Sequence, residues 1–315
     1  MDAIKHTYVQ VNGLNLHVAE IGSDSSPTIV FLHGFPEIWY TWRHQMIAVA
    51  KAGFRAIAPD CRGYGLSDIP IEPEKTSFVD LVNDIVSILD HLAISKVFVI
   101  AKDFGALVAY PFLLFHPEKV AGIITLGVPF MPPGSHQTYL ALPEGFYIRR
   151  WREVGRAEAD FGRFDAKTVV RNVYILFSKS EIPIANENQE IMDLADPSTP
   201  LPSWFTEDDL AVYGDLYHKS GFQTPLQVPY RSLAEKIEYP QQDLKIETPA
   251  MLIMGEEDYV FKFPGMEEYV KSGEVKKYVP NLEVIYVPQG SHFVQEQFPD
   301  QVNQLILDFL NRNKY

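Results

Sequence analysis

The 315-residue chain has one cysteine, Cys61, so no disulfide can form within it and nothing marks it for an oxidising compartment. No apolar run approaches the roughly 18 residues that a membrane-spanning helix requires. Asn-x-Ser/Thr acceptors are absent. Positive charge is scarce: 27 Lys and Arg stand against 41 Asp and Glu, a net charge of −14. That balance argues against nucleic acid or an anionic membrane as the main partner. Residues Met1–His6 lack the basic-then-apolar layout of a signal peptide, and Asn313–Tyr315 is not a peroxisomal address. A cytoplasmic protein without stable membrane insertion is therefore expected. No Gly-x-Ser-x-Gly occurs, which weighs against a serine esterase. The glycine pair Gly63 and Gly65 lacks the third glycine of a dinucleotide fingerprint. Neither cofactor nor metal is expected.

What is present is a well-cored composition, 46% hydrophobic and 22% charged, with 13% aromatic residues, enough to line an apolar pocket. Tyr8–Gln10 and Leu14–Glu20 alternate apolar and polar residues around Asn12-Gly13, the pattern of an antiparallel hairpin. Buried strands are predicted at Thr28–Leu32, Phe54–Ala58, Val97–Ala101, Gly122–Val128, Ala250–Met254 and Leu282–Val287. Helical spacing separates them at 40–51, Phe78–Leu92, Leu107–Phe115, Pro264–Lys271 and Gln297–Leu310. This alternation implies an α/β fold: a mostly parallel eight-stranded sheet with helices on both faces. From residue 131 to about 243 the character changes to proline-punctuated helical stretches, read as an inserted helical cap. The expected organisation is core 1–130, cap 131–243 and core 244–315.

The stretch Lys96–Ala106 reads as a strand turning sharply into a helix, with Asp103 at the apex. That is the layout of a nucleophile elbow, in which a strained turn lifts one side chain above a parallel sheet. An Asp there also suits an N-cap, so the elbow alone leaves both readings open. Two further strand ends carry partners: Asp258 after Ala250–Met254, and His292 in Gly290–Phe293 after Leu282–Val287. The order nucleophile, acid, histidine is that of an α/β hydrolase, and open α/β sheets bind ligands at strand carboxyl ends. Glu256 and Glu257 are weaker candidates for the acid, and Ser291 reads as a turn residue.

With His33–Glu37, the Asp103 elbow, Gly255–Asp258 and Gly290–Phe293, the sequence resembles the plant-type soluble epoxide hydrolases of the α/β-hydrolase superfamily, over essentially its whole length. Pro143–Ile148 and Val228–Arg231 match the two cap segments that supply catalytic tyrosines in that family. The resemblance implies Asp103 as nucleophile, His292 as base oriented by Asp258, and Tyr147 and Tyr230 as proton donors. It implies an oxyanion hole from the backbone N–H groups of Phe35 and Phe104. A pocket lined by residues such as His33, Pro36, Glu37, Trp39 and Phe293 is expected to take a small lipophilic epoxide. The protein is expected to be a monomer or homodimer.

The sequence departs from the family beside the nucleophile, where His-Asp-Trp-Gly is usual and Lys102-Asp103-Phe104-Gly105 stands instead. Lys102 is expected to point away from the pocket; pointing inward, it would lower the nucleophile's pKa. Pro229 stands where an aromatic is common. Two other readings stay open: a haloalkane dehalogenase, which shares the Asp nucleophile, and a catalytically idle α/β hydrolase acting as a small-molecule receptor. Phe104 has no indole donor for a halide, which weighs against the first.

Overall fold

The computed structural model describes residues 3–135, 142–240 and 243–314; parts of the expected cap, at 136–141 and 241–242, lie outside them. β1 (Lys5–Val11) and β2 (Leu14–Ile21) pair antiparallel, with Val11 opposite Leu14. Asn12 and Gly13 between them both have positive φ, 50° and 80°, the backbone that a two-residue hairpin turn demands and this pair tolerates. β3 (Thr28–Leu32), β4 (Arg55–Pro59), β5 (Val97–Lys102), β6 (Val120–Leu126), β7 (Ala250–Gly255) and β8 (Leu282–Val287) follow. The sheet order is β1-β2-β4-β3-β5-β6-β7-β8. Only β1–β2 and β2–β4 run antiparallel; the other neighbours are parallel. β3, β4, β5 and β7 are buried at every residue, as a parallel sheet covered on both faces requires.

The helices form where the apolar spacing places them. α1 (Arg43–Lys51) starts later than expected, because Asp60 Oδ1 accepts the Trp39 N–H at 2.8 Å and Trp39–Trp42 forms a separate tight turn. α2 (Phe78–His91) opens with a capping box: Ser77 Oγ accepts the Asp80 N–H and Asp80 Oδ2 accepts the Ser77 N–H. Such a cap contributes about 1 kcal/mol, and the helix buries Leu81, Val82, Ile85, Ile88 and Leu89. α3 (Ala106–Phe115) has no polar face and runs buried from Val108 to Leu114, as befits a helix enclosed by its neighbours.

Between β6 and β7 the described residues form helices and loops: α4 (Tyr147–Arg152), α5 (Arg156–Phe161), α6 (Ala166–Phe177) and α7 (Glu207–Ser220). The only strand-like pairing there among the described residues is an isolated bridge between Phe146 and Ile184. This helical segment is tied to loops at the ends of the sheet strands. Tyr64 donates to Val228 O at 2.8 Å, and Tyr217 donates to Glu37 O at 3.2 Å. Arg43 pairs with Asp209 at 2.9 Å and with Glu296 at 2.6 Å. Tyr174 and Tyr213 donate to the same Glu296 carboxylate. Burial pushes the Glu296 carboxyl up; the Arg43 guanidinium and the Tyr174 hydroxyl act against that shift. A buried cluster of this kind is costly to form and more costly to break, because removing one member strands a charge. Among the described residues, no helix is long and apolar enough to cross a membrane.

Candidate active site

The turn after β5 puts Asp103 at φ 52°, a left-handed backbone that only strain and surrounding contacts impose on a non-glycine residue. Close approach makes room for it. A Cβ on Gly34 would lie 2.5 Å from Asp103 Oδ2, and one on Gly105 would collide with Leu32 O. The residues at the N-cap positions of this turn and of α3 are Lys102 and Gly105, and Asp103 is neither. Its Oδ2 instead accepts the Phe35 N–H at 3.1 Å, and its Oδ1 lies 3.3 Å from His292 Nε2. The Phe104 N–H also stabilises the carboxylate.

β7 and β8 end side by side and bring the other two residues in. Asp258 Oδ1 and Oδ2 lie 2.9 and 3.0 Å from His292 Nδ1, which places the proton on Nδ1 and turns Nε2 toward Asp103. Asp258 Oδ1 also accepts the Val260 N–H, fixing the carboxylate. Glu256 and Glu257 are exposed, and the Ser291 hydroxyl accepts the Phe293 N–H, as a turn residue does. Burial opposes charge on Asp103, but the hydrogen bond and charge of His292, with the Lys102 cation, outweigh it and hold the carboxyl below its usual range. Burial likewise opposes charge on His292. Asp258 and Asp103 more than offset it, against the Lys102 cation, so the imidazole pKa is raised.

Above these groups the helical segment supplies phenols. Tyr147 opens α4, whose buried Arg150 pairs with Glu144 at 2.7 Å and Glu190 at 3.1 Å and also donates to Asn186 O and Gln189 O. Tyr230 lies where the backbone leaves helical geometry at Val228, beside Pro229, and its ring packs edge-on against Phe35, Phe104, Tyr147 and Trp151. Burial, then the nearby Tyr147 and Asp103, push the Tyr230 phenol well above its ordinary value and keep it protonated. Its hydroxyl has no hydrogen-bond partner among the described residues. The Tyr147 hydroxyl lies 3.3 Å from that of Tyr259, a residue that sequence reasoning missed although it directly follows Asp258. Tyr259 is buried, its ring 4.8 Å from that of His292.

The cavity over Asp103 is about 10 Å³, room for roughly one water. It is walled by Phe35, Phe104, Val173, Phe177, Tyr230, Tyr259, His292 and Phe293. Val173 and Phe177 come from α6, whose apolar spacing fits core packing equally well. Of the expected wall residues, only Phe293 joins Phe35 and Phe104 there. His33 stands behind, its Nδ1 donating to Gly34 O and its Nε2 accepting the Cys61 N–H. Pro36 is buried but does not line the cavity. Glu37 braces its own loop through Gly34 N, Thr41 and Gln295, and Trp39 packs on His6, His17 and Tyr40. Lys102 lies off the cavity wall too, yet it is completely buried, with its ammonium 5.3 Å over the Phe293 ring. It is enclosed beside the site.

A family model of the alpha/beta hydrolase fold matches residues 27–299. Epoxide hydrolase 1 of Siraitia grosvenorii is 38% identical over 320 residues, covering 99% of this chain and 100% of that protein. The solved structure of potato (Solanum tuberosum) epoxide hydrolase I superposes with a TM-score of 0.89 at 36% identity, over 98% of this chain and 99% of the other. A Vigna radiata epoxide hydrolase mutant gives 0.91 at 36% identity, over 99% and 100% of the two chains. Full-length similarity at this level, on a sheet whose strand ends assemble an aspartate, a histidine and a second aspartate, places the chain in the α/β-hydrolase fold family and, within it, among the plant-type epoxide hydrolases.

Proposed function

We propose that the protein hydrolyses a lipophilic epoxide to a vicinal diol through an ester on Asp103. The observation that carries this reading is the position of Asp103 at the cavity: one carboxylate oxygen rests on the Phe35 N–H, the other lies 3.3 Å from His292 Nε2. With Oδ2 held in the oxyanion site, Oδ1 is the nucleophile. It is ionised without a base, its pKa depressed by His292 and Lys102 against the opposing effect of burial.

Oδ1 bonds to an epoxide carbon as the C–O bond of the ring breaks, and the departing oxygen takes a proton from Tyr147 or Tyr230. A phenol is a suitable donor at neutral pH, because it gives up its proton only as alkoxide charge develops, and burial keeps that of Tyr230 protonated. His292 Nε2 then removes one proton from water, whose oxygen attacks the Asp103 carbonyl carbon. The oxyanion that forms on Oδ2 is held by the Phe35 and Phe104 N–H groups. Collapse breaks the ester bond, and the imidazolium proton goes to the departing diol oxygen. The second proton of the water restores the phenol. Residues 131–243 act as the cap that supplies both phenols and shuts water out during ring opening.

The aromatic wall favours apolar substituents on the epoxide. With so little free volume in this conformation, the rings of Phe177, Tyr230 and Tyr259 must give way to admit the substrate. Enzyme in excess over an aryl epoxide such as trans-stilbene oxide, in ¹⁸O-water, tests the route. An almost unlabelled first-turnover diol, with label in the Asp103 peptide, is expected. Label appearing directly in the diol would overturn the ester intermediate and leave Asp103 as a base for water.

A further inference from the structure

Lys102 is the last residue of β5 and precedes the nucleophile. Its side chain is wholly buried, and its ammonium has no hydrogen-bond or ion-pair partner among the described residues. A buried charge without a structural partner is expensive and calls for an explanation. The buried carboxylates Glu37, Glu296 and Asp258 do not supply one. Glu37 is taken by Gly34 N, Thr41 and Gln295, and Glu296 by Arg43, Tyr174 and Tyr213. Asp258 is committed to His292 and Val260 N. The Nζ lies 5.3 Å over the ring of Phe293, the residue after the base. Its charge is felt at the site: the Lys102 cation acts to lower the pKa of both Asp103 and His292.

We propose that Lys102 is a positioning residue that acts by charge: a fixed cation that speeds hydrolysis of the Asp103 ester, rather than opening of the epoxide. The proposal rests on the ester route above. Ring opening converts the Asp103 carboxylate to a neutral ester, so it removes the anion that the cation stabilises. Hydrolysis restores that anion and passes through an oxyanion on Oδ2, so the same cation favours it. The cation also bears on the base. The groups facing His292 are Asp258, Asp103, Lys102 and the Tyr259 phenol, with Tyr147 behind it, and burial keeps Tyr259 neutral. Once Asp103 is esterified, one of the two anions that hold the imidazolium is gone and Lys102 remains. His292 is then driven to the neutral form that can accept a proton from water.

Lys102→Met and Lys102→Gln remove the charge at similar size, and Lys102→Arg keeps it. With trans-stilbene oxide as probe, rapid-quench mass spectrometry of the intact protein reads ester formation and decay separately. For both neutral variants, ester decay should be roughly tenfold slower near neutral pH, and its acid limb should move up by about one pH unit. Ring opening should be unchanged or faster, so the ester fraction at steady state rises. Lys102→Arg should restore the limb toward wild type. A merely structural role would lower both rates together and leave the limb in place.

Correctly folded sites are counted by pairing each variant with His292→Gln and titrating the trapped ester. If the ester is trapped in that background but decay and limb match wild type in the neutral variants, the Lys102 proposal is overturned and the ester route stands. If no ester forms with wild type or with His292→Gln, the ester route itself has failed.

Discussion

Removing single hydroxyls from the two cap tyrosines separates their chemical role from their packing role, because the structure gives them different partners. Tyr230 has no hydroxyl partner among the described residues, so Tyr230→Phe should leave stability within about 0.5 kcal/mol of wild type. The Tyr147 hydroxyl shares a buried hydrogen bond with Tyr259, so Tyr147→Phe should lose about 1 kcal/mol as that bond disappears. In the chemistry the ranking reverses. One preorganised donor to a developing oxyanion is worth roughly 10²–10³ in rate, so Tyr230→Phe should slow ring opening by about that factor. Tyr147→Phe should lose less, because Tyr259 stands 3.3 Å behind it and can turn its own hydroxyl toward the epoxide oxygen. The double variant should be almost inert. Trp151 packs 5.0 Å from Tyr230 and 5.3 Å from Tyr147, so stopped-flow tryptophan fluorescence under single-turnover conditions can follow ring opening directly, with urea melts for stability. A Tyr230→Phe enzyme that opens the epoxide within about twofold of wild type would refute the assignment, since no packing change could conceal the loss of a proton donor.

His292→Gln should still form the ester but hydrolyse it at least roughly 10²-fold more slowly, leaving a mass adduct of substrate on the Asp103 peptide; an unmodified protein would remove His292 from the second step alone. Because Asp103 is held below the ordinary carboxylate range, ring opening should stay flat as pH falls from about 8 to about 5, while ester decay falls with His292 protonation. A ring-opening rate that declines in parallel with decay would show that the base is needed in both steps. Gly34→Ala would put a Cβ 2.5 Å from Asp103 Oδ2, so it should cut turnover by about 10²-fold or more while thermal stability falls only modestly; wild-type turnover would disprove the packed oxyanion loop. Arg43→Met strands the Asp209 and Glu296 carboxylates at the junction of cap and core, and should cost about 3–5 kcal/mol by thermal or urea denaturation. A loss under about 1 kcal/mol would show that this buried cluster does not hold the cap.

The sequence by itself was enough for the strands of the sheet and for the order of the candidate residues. Val97–Ala101 reads as a buried strand, Asn12-Gly13 as a hairpin turn, and three strand ends each carry an acid or a histidine. These are local facts: a period-2 or continuous apolar pattern and turn chemistry depend on neighbours in the chain. The apex aspartate was ambiguous in sequence, because capping and nucleophilic attack both need a carboxylate at a helix start. The hydrogen bonds of Asp103 with the Phe35 N–H and His292, which support the proposed nucleophilic role, are tertiary contacts that no local pattern carries.

The pocket wall was the least legible part. Trp39 and Phe293 are both aromatic and both lie at or near motif residues, yet one packs on the hairpin histidines and the other lines the cavity at Asp103. Val173 and Phe177 lie on a helix whose apolar stripe looks like any core stripe, and Tyr259 was hidden behind a motif acid. Which way a side chain faces depends on what long-range packing leaves open. Lys102 shows the same limit: a lysine in sequence reads as surface, and only the closed fold buries its charge beside the residues it can act upon.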